Sequence, residues 1–254
     1  MGKAGPRRRP ETLSGMKRFL RALFRPDWRC LSCGDEIFTE GKYFCPRCEE
    51  KLPYHTVICD HCGRAVPVAQ SYCYECKNQL TEVDRARSAF SYEPPVSGLI
   101  QSFKYRNRRY LAEAFASALA RVYFSQCEVC DLMVFVPMTR RRERERGYNQ
   151  TALLARELSA RIGVPLAEEA LVKIRDTPRQ ADLSAAERRE NLVGSFRVHQ
   201  RKEVDNKTIL LVDDVLTTGA TAEAIARALK GAGAKRVILL TVASVRSRRE
   251  EEKE

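Results

Sequence analysis

The stretch TILLVDDVLTTGATAEAIARALKGAGAKRVILLTVA, residues 208–243, constrains the fold more than any other. TILLV over 208–212 is a short apolar run of strand length. The segment over 220–231 has helical periodicity, and RVILLTVA over 236–243 is a second apolar run. Strand, helix and strand in that order require a crossover, so the two strands lie parallel in one sheet. A parallel strand buried on both faces reads as a continuous hydrophobic run, as ILLV does. The residues after Val212 are unusual for a core strand: two adjacent acids, Asp213 and Asp214, then small residues.

In open α/β sheets, ligands sit beyond the carboxyl ends of the strands. The loop DDVLTTGAT is expected there, running into a helix N-terminus. Thr217, Thr218, Gly219, Ala220 and Thr221 are small enough for backbone N–H groups to converge on an anion, and the helix dipole favours negative charge there. The acids would repel that anion and need donors or cations instead: vicinal sugar hydroxyls, or a magnesium ion bridging hydroxyls and phosphates. A strand-to-helix turn with capping aspartates accounts for one acid, but not for the cradle beyond it.

The stretch 209–221 resembles the phosphoribosyl-pyrophosphate loop of type I phosphoribosyltransferases. That resemblance implies that Asp213 and Asp214 hold the ribose and act in catalysis, and that Thr217, Thr218, Gly219, Ala220 and Thr221 hold the 5-phosphate. It leaves the acceptor unnamed.

Four C-x-x-C pairs form a second signature: Cys30/Cys33, Cys45/Cys48, Cys59/Cys62 and Cys73/Cys76. The repeat of two similar halves suggests one unit used twice. Each pair can present two thiolates to a tetrahedral ion, so two pairs close a four-sulfur shell of structural zinc; redox thiols are the alternative. Sequential pairing within each half is expected over a cross-braced one. Gly34 and Gly63 follow the first pair of each half and suit a turn with positive φ. Cys127 and Cys130 have no second pair nearby and read as ordinary semi-buried cysteines. His61 lies inside a knuckle whose shell the cysteines already fill; His55 and His199 read as structural or exposed.

Taken together, these features resemble the ComF family, in which a cysteine module precedes a phosphoribosyltransferase domain. The resemblance is carried by the doubled cysteine module, by FKYRN over 103–107, by VPMTRRRERERGYNQTALLA over 136–155 and by the segment 171–196. One departure is Thr139, which stands where a histidine is common in the family. The resemblance implies an α/β fold with a parallel sheet and helices on both faces, plus a small zinc-ribbon module. It places Lys104, Arg140 and Arg146 with the donor-binding residues, makes 171–196 a loop that closes over the site, and links the protein to DNA uptake. For the individual arginines of RRRERER, contact with pyrophosphate and a solvated charge run compensated by Glu143 and Glu145 stay open.

The chain has 254 residues and divides on this reading into a basic disordered arm and amphipathic helix (1–28), a double zinc module (29–80), the phosphoribosyltransferase domain (85–245) and a charged tail (246–254). The amphipathic segment, with Leu13, Met16, Phe19, Leu20, Leu23 and Phe24 on one face, suits either a membrane surface or docking on its own protein. The net charge of +12 and pI near 9.4 favour polyanionic partners such as single-stranded DNA, or describe a solvated basic surface. Tyr43, Phe44, Tyr72 and Tyr74 among the knuckles serve either base stacking or a mini-core. No apolar run has the length of a membrane span and no secretory h-region is present, so a cytoplasmic location is expected. Three roles are open: transfer of phosphoribosyl from phosphoribosyl pyrophosphate to a nucleobase or amine, a non-catalytic nucleic-acid role in DNA uptake, or sensing of the donor without turnover.

Overall fold

The computed structural model describes residues 29–37, 42–78, 80–175, 192 and 194–247. The expected N-terminal arm, its amphipathic helix, the charged tail beyond Ser247 and most of the closing loop lie outside those residues. The chain forms two compact units, Met1–Lys51 and Leu52–Glu254. The sequence reading bounds one cysteine module at 29–80, whereas the compact units divide after Lys51.

The first unit is built around Cys30, Cys33, Cys45 and Cys48, with the short helix α1 (Pro46–Glu49) carrying the last of them. Ile37 and Phe44 pack beside the cysteines as its small apolar core. So little apolar surface cannot hold a fold, and metal ligation must supply the difference.

The second unit is a parallel sheet, β1 (Arg85–Ser91), β2 (Leu132–Phe135), β5 (Thr208–Leu216) and β6 (Arg236–Ser244), in the order β1-β6-β5-β2. Leu166 extends the β2 edge by a parallel bridge to Met133. Ile209, Leu210, Leu211 and Val212 are all fully buried, as a central strand covered on both faces requires. Ile209 and Leu211 share a core with Ile225 and Leu229 of helix α8 (Ala220–Gly231). The alternate residues Leu210 and Val212 point to the opposite face, where α4 (Leu111–Gln126) and α6 (Gln150–Ile162) pack on the sheet and on each other. Helix α3 (Val96–Tyr105) begins after the turn at Pro94–Pro95 and buries Leu99, Ile100 and Phe103.

The remaining elements are α2 (Tyr74–Asn78), α5 (Arg140–Arg146), α7 (Arg201–Val204) and an antiparallel ribbon of β3 (Leu171–Lys173) with β4 (Phe196–Val198). This ribbon is formed by the two ends of the expected closing loop; residues 176–191 and 193 between them lie outside the described residues. No helix among the described residues is long and apolar enough to cross a membrane.

One local expectation is corrected. The strand at 208 does not stop at Val212 but runs through both aspartates to Leu216, because β6 keeps pairing with it: Asp213 sits opposite Thr241 and Leu216 opposite Ser244. The arginine run forms the helix α5. Thr139 caps its N-terminus by accepting from the Arg142 N–H, and Gly147 ends it in the left-handed region.

Candidate functional site

The eight knuckle cysteines form two clusters, Cys30/33/45/48 and Cys59/62/73/76, with all sulfurs of a cluster within 4.8 Å of one another. Pairing is thus sequential. Sulfur separations of 3.7 Å (Cys33–Cys45), 3.8 Å (Cys59–Cys76) and 3.5 Å (Cys62–Cys73) match the edge of about 3.8 Å expected for a tetrahedron with Zn–S bonds near 2.3 Å. A closed four-thiolate shell fits structural zinc and leaves no open position for chemistry. Gly34 and Gly63 have the expected positive φ, +81° and +67°. His61 is not in either shell; it stacks on Tyr72 with ring centroids 5.2 Å apart. Cys127 is half-buried and Cys130 buried, and burial pushes their thiols up to about 11 and about 12. His55 is half-buried between strand ends, within 3.2 Å of Ser91 Oγ and 3.5 Å of Ser244 Oγ, and burial holds it down at about 4.

At the carboxyl end of the sheet the side chains turn polar in one row. Ser88 of β1 hydrogen-bonds Thr241 of β6 at 2.7 Å, and Thr241 lies opposite Asp213 of β5. Asp214, 4 % exposed, is the hub. Lys104, near the end of α3, approaches its Oδ1 at 2.8 Å, and Gln150, at the start of α6, donates to its Oδ2 at 2.8 Å. Arg146, near the end of α5, donates to Gln150 Oε1 at 2.6 Å and lies 5.0 Å over the Tyr105 ring. Helices α3 and α6 therefore meet the Asp214 carboxylate directly, and α5 reaches it through Gln150. Asp213, by contrast, accepts among the described residues only the Asp214 backbone N–H, at 2.8 Å. Burial first, then the charge of Asp214, push its carboxyl up to about 7. For Lys104, burial works against the ammonium, but the charge of Asp214 and their hydrogen bond outweigh it and raise its pKa.

Of the residues singled out from sequence, Lys104, Arg146, Asp213 and Asp214 come together, and Thr217 to Thr221 follow where β5 gives way to α8. Arg140 does not join them; it begins α5 as an exposed side chain. Two participants carry no chemical signal in the sequence. Gln150, an amide in a helix's first turn, lies inside the quoted 136–155 stretch yet has no reactive character of its own. Arg64 follows the second knuckle's glycine and reads as one more surface cation.

Arg64 is 1 % exposed and donates to the Thr217 carbonyl and, at 3.3 Å, to the Val245 carbonyl. It therefore pins the phosphate-type loop from the second cysteine cluster. Leu80, just after that cluster, presses on Gly219: a Cβ at Gly219, whose φ is +87°, would lie 2.6 Å from Leu80 Cδ2. Glu223 in the first turn of α8 accepts three bonds from the same linker, from the Thr81 N–H, the Thr81 hydroxyl and the Glu82 N–H, at 2.6–3.0 Å. Cys59, Cys62, Cys73 and Cys76 also share one apolar core with Ala222 and Ile225 of α8. The second cluster is thus a brace under the loop, reaching β1 as well: Gly63 sits so close that a Cβ there would lie 2.8 Å from the Ala86 carbonyl.

Residues 149–254 match the phosphoribosyl transferase domain family, and residues 19–77 match the double zinc ribbon domain. The DNA utilization protein YhgH of Escherichia coli K12 is 31% identical over 76% of this chain and 86% of that protein. The chain belongs to the ComF family. Another ComF relative, Competence protein F of Haemophilus influenzae, is 29% identical over 83% of this chain and 94% of its own length. Among solved structures, glutamine phosphoribosylpyrophosphate amidotransferase from B. subtilis is 19% identical with a TM-score of 0.39, over 56% of this chain and 30% of that one. The ComF assignment agrees with the parallel α/β sheet and the two four-cysteine clusters, and the family match at 149–254 puts that sheet in the phosphoribosyltransferase class.

Proposed function

We propose that this ComF protein binds phosphoribosyl pyrophosphate with magnesium at the carboxyl end of β5 and transfers phosphoribosyl to a nitrogen nucleophile, releasing pyrophosphate. The observation that carries this reading is the pairing of Asp213 and Asp214 with the tight Gly219 loop that follows them. Asp213 has one donor among the described residues and is pushed up to about 7, so it gains from a neighbouring cation or hydroxyl donors. Hard carboxylate oxygens beside a phosphate loop fit magnesium, which would supply charge neutralisation to the leaving diphosphate.

On this reading the ribose hydroxyls donate to Asp213 and Asp214, and the 5-phosphate takes the N–H groups and hydroxyls of Thr217 to Thr221. Lys104 and Arg146 stand on the diphosphate side, where a cation offsets growing negative charge. The nitrogen lone pair forms the bond to the anomeric carbon as the carbon–oxygen bond breaks, and that electron pair leaves on pyrophosphate. The proton lost from nitrogen goes to solvent or to pyrophosphate; no side chain is assigned as a dedicated base. Lys104 must turn from Asp214 toward the incoming diphosphate, so the ion pair at 2.8 Å is the resting arrangement of a swap.

A panel of nucleobases and small amines, with pyrophosphate release as readout, tests the transfer. Release that requires an amine and disappears in Asp213→Asn/Asp214→Asn supports it. Donor binding with no release under any acceptor contradicts transfer and leaves the sensor role.

A role with DNA is the second reading. Relatives carry the names competence protein and DNA utilization protein, and this chain has a net charge of +12. Tyr72 and Tyr74 are 53% and 40% exposed beside the second cysteine cluster, where bases could stack. Affinity for single-stranded DNA that falls steeply with salt and drops in Tyr72→Ala/Tyr74→Ala supports it; equal affinity in that variant counts against stacking there.

A further inference from the structure

We propose that the groove between the edge strand β1 and helix α4 is a second ligand site, which takes a phosphorylated ligand of nucleotide size. This goes beyond the donor reading: Ser88 at the groove's edge also bonds Thr241 in the polar row beside Asp213, but none of the residues proposed to hold the donor lines the groove. The cavity measures about 840 Å³, within the range of small-molecule sites. Three arginines line it: Arg85 and Arg87 from β1 and Arg121 from α4. Arg87 is 5 % exposed, and its hydrogen bonds all leave from one nitrogen, to the carbonyls of Asp60, His61 and Ala86 at 3.0, 3.4 and 2.7 Å. Its Nε is buried without a partner.

No carboxylate pairs with Arg85, Arg87 or Arg121 among the described residues. Glu128 is the one acid in the lining, and its Oε2 is engaged by Arg236. Its buried Oε1 has no hydrogen-bond partner among the described residues and suits a ligand hydroxyl or amino donor. His55, also in the lining, is held neutral by burial. Burying a guanidinium without a directly paired carboxylate is costly: burial first, then the neighbouring Arg85, lower the Arg87 pKa, and the nearby acidic groups, Asp60 and Cys62 among them, offset this only in part. An anion placed among the three arginines offsets both effects, and planar guanidinium forks suit phosphate oxygens. The apolar wall of Ala118 and Val122 and the half-exposed ring of Tyr54, steadied 5.2 Å from Phe90, suit the flat, partly apolar body of a nucleotide base.

A nucleotide can arrive free or as one unit of a single strand, and binding measurements separate the two. Adenosine monophosphate, inorganic phosphate and a short single-stranded oligonucleotide are titrated against the full zinc-loaded chain. The proteins are wild type, Arg85→Gln/Arg121→Glu and Asp213→Asn/Asp214→Asn. Arg121 is exposed and neither arginine's side chain carries a structural bond among the described residues, so the double arginine variant keeps the fold, which its Tm checks. The proposal expects adenosine monophosphate to bind wild type and the aspartate variant alike, and to bind the arginine variant at least about tenfold more weakly. If the free nucleotide fails and the oligonucleotide shows that same pattern, the site reads a strand and the ligand class stands. Equal affinities in wild type and the arginine variant, loss of binding in the aspartate variant, or no binding of any probe to wild type would overturn it.

Discussion

Replacing Gly219 by alanine tests whether the second zinc knuckle braces the phosphate-type loop. Gly219 has φ +87°, and the new methyl would sit 2.6 Å from Leu80 Cδ2 and 3.2 Å from its Cγ. Holding an alanine at positive φ costs about 1–2 kcal/mol. Leu80 is 2 % exposed and packed in the core with the second cysteine cluster, so the added carbon over-packs the linker at roughly 1–3 kcal/mol. The sum of about 2–5 kcal/mol lowers Tm by roughly 5–15 °C for a unit of this size. Gly163→Ala is the control: its φ is +75°, but nothing lies within 4 Å of the new carbon, so only the backbone cost of about 1–2 kcal/mol applies. Thermal unfolding of the zinc-loaded protein reads both. Truncating Leu80 to alanine in the Gly219→Ala background should cost less than the two changes summed, with a coupling of about 1–3 kcal/mol. If Gly219→Ala unfolds no earlier than Gly163→Ala, or the double variant is additive, the contact with Leu80 does not set the loop.

Gln150→Leu removes the donor to Asp214 Oδ2 and the acceptor of Arg146; thermal unfolding should show a loss of about 1–3 kcal/mol for the unmatched buried carboxylate oxygen, whereas an unchanged Tm would place Gln150 outside the network. Asp213 gives a pH signature. Its folded pKa, about 7, lies above its ordinary value of 3.8, so the folded state keeps a proton that the unfolded state has lost. Stability of the ligand-free protein therefore falls as pH rises from near 4 to near 7 and then levels. Asp213→Asn should remove that slope and raise Tm at pH 8 more than at pH 5. Stripping zinc with a chelator, or Cys59→Ser, should weaken donor binding and lower Tm together, since Arg64 and Leu80 hold the loop from that cluster; donor affinity unchanged in Cys59→Ser would count against the brace.

The cysteine clusters and the acidic pair were legible in the sequence because the chemistry dictates the spacing. A metal tetrahedron needs C-x-x-C twice, and a parallel strand feeding a ligand loop needs an apolar run that turns polar. The length of β5 was not legible: two acids look like the end of a strand, yet Thr241 on β6 and the Ser88–Thr241 bond give Asp213 a polar neighbourhood in which pairing continues. RRRERER has no apolar period, so nothing marks it as helix. It is held by its Thr139 cap, its left-handed Gly147 end and an Arg141–Glu145 pair one turn apart. The brace was invisible for a different reason. Arg64 and Thr217 meet across 153 residues, and no local pattern reports a contact at that separation. Gln150 was missed because its role comes entirely from facing Asp214 across 64 positions of chain.

The two aspartates connect these observations, since Asp214 holds Lys104 and Gln150, and Arg146 through Gln150, while Asp213 has one donor among the described residues. Titration calorimetry of phosphoribosyl pyrophosphate, with and without magnesium, into wild type and Asp213→Asn/Asp214→Asn tests their role most directly. The account predicts magnesium-dependent binding to wild type and its loss in the variant. No binding to wild type, or equal binding to both proteins, would contradict it.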